Sequence, residues 1–198
     1  AADLLDYSPI TQKYAGQGMT IRELAHAAQV FSDNTAANLL LRRFGGPERL
    51  TAFWRGLGDT VSRLDRYEPD LNIVPAGELR DTTTPAAMAR TLAKLLTGPA
   101  LQQSALDTLI AWTIETQTGS KRIRAGLPQH WAAGDKTGSG GTLVDVAWIR
   151  PPQGPTLIVN GYVRPVAGDD TASSKANEAL AELGRVAAQW VAPTAARV

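Results

Sequence analysis

Most of the chain carries hydrophobic residues at helical intervals, and only a late stretch alternates with period two. Thr20 and Glu23 stand at capping-box spacing, and Ile21, Leu24, Ala25 and Ala28 follow at helical steps. This predicts a helix that stops near Ser32-Asp33-Asn34. Asn34 is placed to cap a second helix through Ala37, Leu40, Leu41 and Phe44, which Gly45-Gly46 terminates. Pro47 opens a third, carrying Leu50, Phe53, Trp54 and Leu57, and Gly58 ends it. Pro85 to Leu96 and Leu101 to Trp112 read as two more helices. From Trp131 the period changes. Ala133 to Ser139 reads as a strand, Val144, Val146 and Trp148 alternate, and so do Leu157, Val159 and Gly161. Pro151-Pro152-Gln153-Gly154-Pro155 is the turn between two antiparallel strands. A closing helix runs from about Ser174 to Val191, with Leu180, Leu183, Val186, Ala187 and Trp190 on one face. The tryptophans at 54, 112, 131, 148 and 190 read as core or half-buried packing.

The order of these elements predicts an α+β class, a mostly helical region with an antiparallel sheet, as one domain over residues 1–198. Three strands make a thin sheet, and partner strands from elsewhere are expected. Residues 62–84 break the pattern. Arg63, Asp65, Arg66, Glu68, Asp70, Glu78, Arg80 and Asp81 crowd one segment with Pro69, Pro75 and Gly77, and no hydrophobic period runs through it. A long ordered loop fits, with Leu71, Ile73 and Val74 packing it from within.

Composition narrows the chemistry. The 198 residues hold 20 Lys plus Arg and 19 Asp plus Glu. That balance gives no reason to expect a nucleic acid or a membrane as partner. There is no cysteine, which excludes disulfides, thiolate catalysis and cysteine-bound metal. His26 and His130 are the only histidines, so a Ser-His-Asp triad or a histidine metal site is poorly supplied; both read as ordinary helix and loop residues. No metal or other cofactor is expected. No apolar run is long enough to span a bilayer. The chain opens on Ala1, not Met, and reads as one entered part-way.

Three short motifs occur in order at element boundaries: Ser32-Asp33-Asn34, Glu68-Pro69-Asp70-Leu71-Asn72 and Lys136-Thr137-Gly138. Each alone is weak, and the set is strong. With these motifs the sequence resembles the class A serine β-lactamases over essentially all of residues 1–192. Arg66–Asn72 looks like that family's omega loop, about 62–84 here, and Asp135–Gly140 like its substrate-binding strand.

The resemblance implies a fold and a set of roles. Glu68 would be the base that activates the deacylating water, with Asn72 helping to hold that water. Ser32 would relay a proton toward the departing β-lactam nitrogen. Lys136 would supply positive potential and hydrogen bonds. Asn34 would bind the substrate's side-chain amide, and Thr137, Gly138 and Ser139 the ring carboxylate. The backbone N–H of Ser139 would form half of an oxyanion hole. Tyr7 matches the aromatic wall of the cleft, and Arg122 a second cation near the carboxylate. Arg66 and Asp81 match the pair that ties the loop across its base, and Asp33 is structural. A periplasmic or secreted location and a small β-lactam substrate follow from the same resemblance.

One part of the pattern is missing. The family acylates a serine in a Ser-x-x-Lys motif before its Ser-Asp-Asn motif. Only 31 residues precede Ser32, Ser8 plus three is Thr11, and Ser-x-x-Lys occurs nowhere. The chain is therefore expected to be inactive alone, as an N-terminally incomplete β-lactamase partnered by a complementing N-terminal fragment or a swapped neighbour. Two other readings stay open: a non-catalytic remnant that binds β-lactam- or peptidoglycan-like ligands, and a penicillin-binding transpeptidase, against which Glu68 speaks. Single residues have plainer readings too. Tyr7 could be packing, Arg122 a surface salt bridge, Glu68 a solvated carboxylate, and the first and third motifs a helix junction and a strand end.

Overall fold

In the computed structural model, residues 4–73, 75–166 and 168–191 are described. Helix α1 (Ile21–Phe31) begins with the full capping box: Glu23 N–H donates to the Thr20 side chain, and the Glu23 carboxylate accepts from Thr20 N–H at 2.7 Å. Helix α2 (Asn34–Arg43) is capped by Asp33 rather than by Asn34, because it is the Asp33 carboxylate that accepts from Ala36 N–H. Gly45, with φ of 98°, makes the left-handed turn into α3 (Gly46–Gly56), with Pro47 in its first turn. Helices α4 (Pro85–Thr97) and α5 (Gln103–Glu115) follow, and α5 starts two residues later and runs a turn further than its period suggests.

Strands β1 (Ala132–Gly138), β2 (Leu143–Arg150) and β3 (Leu157–Val163) form an antiparallel sheet in sequence order. Asp135 faces Ala147 and Lys136 faces Val146 across the first pair. Neither β1 nor β3 has a further strand on its outer edge among the described residues.

Both faces of the sheet are covered. Helix α6 (Ala172–Val191) and the 3-10 turn Ile123–Gly126 pack on one face, against Leu143, Ala147 and Ile149 of β2 and Leu157 and Val159 of β3. Trp148 points to the other face, where its indole N–H donates to Thr113 Oγ1 of α5 at 2.9 Å. Alternation in β2 therefore separates two covered faces, not an inside from an outside. Gly126 and Gly184 let the 3-10 turn and α6 touch backbone to backbone: a Cβ on Gly184 would lie 2.1 Å from Ile123 O.

Two expectations about packing fail. On α6, Leu180 is buried and Leu183 and Ala187 pack on the core, but Val186 and Trp190 are 51% and 77% exposed, so the predicted apolar face holds except at these two positions. In the 62–84 segment Ile73 is 62% exposed and Leu71 half-buried, while Val74 lies outside the described residues. Hydrogen bonds hold that segment instead. Asp81 Oδ1 accepts from the N–H groups of Asp65 and Arg66 at 2.7 and 2.9 Å, Oδ2 accepts from Arg66 Nε at 2.5 Å, and Asp65 Oδ2 accepts from Asp81 N–H at 2.9 Å. Arg66 also donates to Ile73 O.

Candidate functional site

Three polar clamps on irregular backbone position the site. Asp33 is completely buried. Its Oδ2 accepts from Ile10 N–H and Thr11 N–H, and its Oδ1 from the Thr11 hydroxyl and Ala36 N–H, all within 2.9 Å. That carboxylate binds the stretch after Tyr7 to the α1–α2 junction. Ser32, just before it, is the C-cap of α1, with φ 57° and ψ 38°. This left-handed conformation is uncommon for a residue with a side chain. On the loop, the buried Asn38 amide of α2 binds both backbone groups of Glu68: Glu68 N–H donates to Oδ1, and Nδ2 donates to Glu68 O, each at 2.9 Å. The Arg66–Asp81 pair closes the base of the same loop.

The fold gathers Ser32, Glu68, Asn72 and Lys136. Lys136 Nζ donates to Ser32 Oγ at 2.8 Å, across 104 residues of chain, and to Thr137 O at 2.6 Å. Burial pulls the Lys136 ammonium down to about 8, against the raising effect of Glu68 and Asp135. Burial also pushes the Glu68 carboxyl up; Asn72 Nδ2, donating to Oε2 at 2.6 Å, and the Lys136 charge partly oppose this. A half-buried lysine and a half-buried carboxyl with pKa values drawn toward neutrality are the materials of proton transfer.

Arg122, Gly138 and Ser139 form a second group. Arg122 donates to Gly138 O at 2.8 Å, Val144 O at 2.5 Å, Ser139 Oγ at 2.7 Å and Asn177 Oδ1 at 3.1 Å. It is only 7% exposed, so the surface salt bridge is ruled out. Thr137 Oγ1 shares a 2.6 Å hydrogen bond with Thr118 Oγ1. A cleft of about 340 Å³ opens beside this group, lined by Leu71, Asn72, Thr82, Ser139, Gly140 and Tyr162 among others. A Cβ on Gly140 would meet Asn72 Cβ at 2.9 Å, so strand end and loop approach closely there.

Tyr7 and Asn34 join the site through the backbone. Tyr7 O accepts from Asn34 N–H, and Asn34 Nδ2 donates to Asp6 O at 3.0 Å. The Tyr7 ring is 59% exposed on a backbone with φ of 57°, so core packing does not account for it.

Several supporting residues escape the motifs. Beneath Lys136 and Arg122 lie Asp135 and Asp145, 1% and 0% exposed. Burial pushes both carboxyls up, Asp145 to about 7, where the charge of Asp135 adds to the rise. Arg124 pairs with Asp135 at 2.7 Å, and Ile123 N–H donates to Asp145 at 2.9 Å. A lone acid among Val144, Val146 and Ala147 was the available signal for Asp145. Asn38 and Thr118 had none. Among the described residues no cluster of His, Cys, Asp or Glu could hold a metal ion, and no helix is long and apolar enough to cross a membrane.

The chain is similar to known proteins over most of its length. A family model described as "Beta-lactamase enzyme family" matches residues 1–191. Beta-lactamase OXY-2 of Klebsiella oxytoca is 48% identical over 168 residues, 83% of this chain and 58% of that protein. Beta-lactamase AST-1 of Nocardia asteroides is 50% identical over 161 residues, 80% of this chain and 52% of that protein. The chain thus spans little more than half the length of these relatives. Among solved structures, an ancestral (GNCA) class A beta-lactamase superposes with a TM-score of 0.91 at 50% identity, covering 96% of this chain and 72% of that one. A beta lactamase from Xanthomonas campestris gives 0.91 at 44% identity, covering 96% and 71%.

Proposed function

Because this chain belongs to the beta-lactamase enzyme family, with class A enzymes as its structural neighbours, we propose that its site serves the hydrolysis of β-lactams through an acyl-serine intermediate. The observation that carries this reading is the Ser32–Lys136 hydrogen bond, with Glu68 and Asn72 beside it. Glu68, clamped on its loop and shifted upward, is suited to take a proton from the deacylating water oriented with Asn72. Ser32 and Lys136 pass a proton to the leaving β-lactam nitrogen. Arg122 and Lys136 supply positive charge for the substrate carboxylate, with Thr137, Gly138 and Ser139 as hydrogen-bonding edge. Asn34 and the exposed Tyr7 ring bound the far side. Arg66, Asp81 and Asp33 position these groups.

Residues 1–198 contain no Ser-x-x-Lys motif, so the acylated serine of this cycle lies outside them, and these residues by themselves are expected to turn over no β-lactam above background. The open edge of β3 and the exposed Val186 and Trp190 support such a segment or a second copy as partner. The family also supports one domain with an omega-type loop over about 62–84, and an exported location.

The test is to mix the chain with an N-terminal segment carrying Ser-x-x-Lys and to follow a chromogenic β-lactam. Turnover is expected, and a folded complex with none refutes the reading. The missing motif favours a second reading, reversible binding of β-lactam-like ligands without turnover. It predicts saturable binding of benzylpenicillin and no acyl adduct on the complemented serine.

A further inference from the structure

We infer that Ser32 is itself an acyl acceptor in this chain, a nucleophile whose general base is Lys136, reactive toward activated acyl donors such as aryl esters. The geometry carries this. Ser32 Oγ lies 2.8 Å from Lys136 Nζ, a nucleophile-to-base distance, and the two residues come from separate elements, the α1–α2 junction and β1. Thr137 O takes one Nζ hydrogen at 2.6 Å. With that hydrogen fixed, a neutral Lys136 can aim its lone pair at the Ser32 hydroxyl, and the hydrogen bond then runs from Ser32 to lysine.

Two further observations favour reactivity. Ser32 is half-buried, not sealed, and its left-handed backbone sits in a sharp turn held by the Asp33 clamp, so Oγ keeps one aim. Lys136 does not need strongly basic solution to become neutral. Burial and Arg122 lower its pKa, Glu68, Asp135 and Asp145 raise it, and the outcome is about 8. The neighbouring Arg122 and Ser139 pair suits acyl donors that also carry a carboxylate.

The step balances. Ser32 Oγ attacks the acyl carbon of an aryl ester, a C–O bond forms to Oγ, and the bond to the aryl oxygen breaks. The phenolate leaves with that electron pair, and the serine proton passes to Lys136 Nζ and on to solvent. The product is a serine ester, one per chain. This inference does not rest on the β-lactam reading, because it needs only an activated acyl group.

The experiment treats the 198-residue chain with p-nitrophenyl acetate. It follows p-nitrophenolate release by absorbance and maps acetyl groups by tandem mass spectrometry before and after hydroxylamine. Hydroxylamine removes serine esters and leaves acetylated surface lysines. The expected result is one hydroxylamine-labile acetyl on Ser32, absent after unfolding in urea, with a rate that rises with pH to a plateau above about 8. Ser32→Ala abolishes it. Ser32→Cys, the only thiol in the chain, restores acyl transfer as a thioester. Lys136→Met slows it by ~10²-fold or more and flattens the pH profile. Circular dichroism checks that each variant folds. A labile acetyl elsewhere, labelling that survives Ser32→Ala, or equal rates in folded and urea-unfolded chain would overturn the inference. Benzylpenicillin separates the two ideas: Ser32 labelled but unprotected by it upholds the dyad and counts against β-lactam binding.

Discussion

Replacing Asp33 by Asn tests how much of the site one buried carboxylate holds. Its two oxygens serve four donors, the Ile10 and Thr11 N–H groups on one side and the Thr11 hydroxyl and Ala36 N–H on the other. An amide has one accepting oxygen. The least costly orientation keeps it toward Ile10 and Thr11 and turns the NH₂ toward Thr11 Oγ1, which can rotate and accept. Ala36 N–H cannot, so the α2 N-cap bond is lost, worth about 1 kcal/mol. Because the donor left behind is buried and unpaired, the loss of this one bond lies toward the upper end of about 1–3 kcal/mol. Charge assistance to the two remaining amide bonds also weakens. The expected destabilisation is about 3 kcal/mol, a large share of the roughly 5–15 kcal/mol that holds a domain together. A urea titration followed by circular dichroism and tryptophan fluorescence should show the midpoint fall by ~1 M or more with an unchanged slope. Limited proteolysis should open the chain between residues 4 and 20, which the clamp ties to the α1–α2 junction. A midpoint shift below about 0.3 M would refute the reasoning, since four short bonds to a fully buried carboxylate would then carry almost nothing.

Asn72→Ala removes the hydrogen bond that opposes burial at Glu68, so the Glu68 carboxyl should titrate at still higher pH in a carbon NMR titration; no change or a downward move counts against it. Gly184→Ala pits helix propensity, which favours Ala by about 1 kcal/mol, against a Cβ 2.1 Å from Ile123 O. Backbone cannot yield cheaply, so overpacking of up to ~3 kcal/mol should win and lower Tm by several degrees, whereas a rise in Tm would show that α6 and the 3-10 turn are not in tight contact. Asp145 has a folded pKa of about 7, raised by burial and by Asp135, above an unfolded value of about 4. The folded state then binds more protons, so its contribution is whole below about pH 4, is lost as pH rises toward about 7, and is level beyond. Asp145→Asn should flatten that decline in stability measured from pH 4 to 8; an undiminished slope would place the proton elsewhere.

Much of the architecture was legible because period survives in the sequence. Thr20 and Glu23 marked the start of α1, and the change of period near Trp131 marked the sheet. The misreadings come from residues whose role depends on what lies opposite. Asp33 and Asn34 are both good caps, and the choice fell to Asp33 because a buried carboxylate could also take Ile10 and Thr11. Val186 and Trp190 have the right helical phase, but among the described residues nothing buries them. Ile73 is apolar, yet its loop is held by Asp81 and Asn38. In the candidate site, Ser32, Glu68 and Lys136 were visible as motifs. Their meeting was not, since 104 residues separate Ser32 from Lys136. Asn38 and Thr118 carry no motif at all, and only the folded backbone gives them a part.

These observations share a physical cause. A site built from a helix junction, a loop and a strand end leaves many backbone groups outside any helix or ladder, and buried ones must find partners. Here side chains supply them. Asp33 serves Ile10, Thr11 and Ala36, Asn38 serves both backbone groups of Glu68, Asp81 serves Asp65 and Arg66, and Arg122 serves the carbonyls of Gly138 and Val144. The clamps act on the segments that carry the residues with proposed chemistry, and the side chain of each is buried or nearly so. Rigidity at Ser32, Glu68 and Ser139 therefore comes from polar residues beside them rather than from regular structure beneath them. It follows that loosening the Asp33, Asn38 or Asp81 clamp should disturb its own segment first and leave the sheet and α6 in place, whereas loosening Arg122, which binds β1, β2 and Asn177 of α6, should reach both.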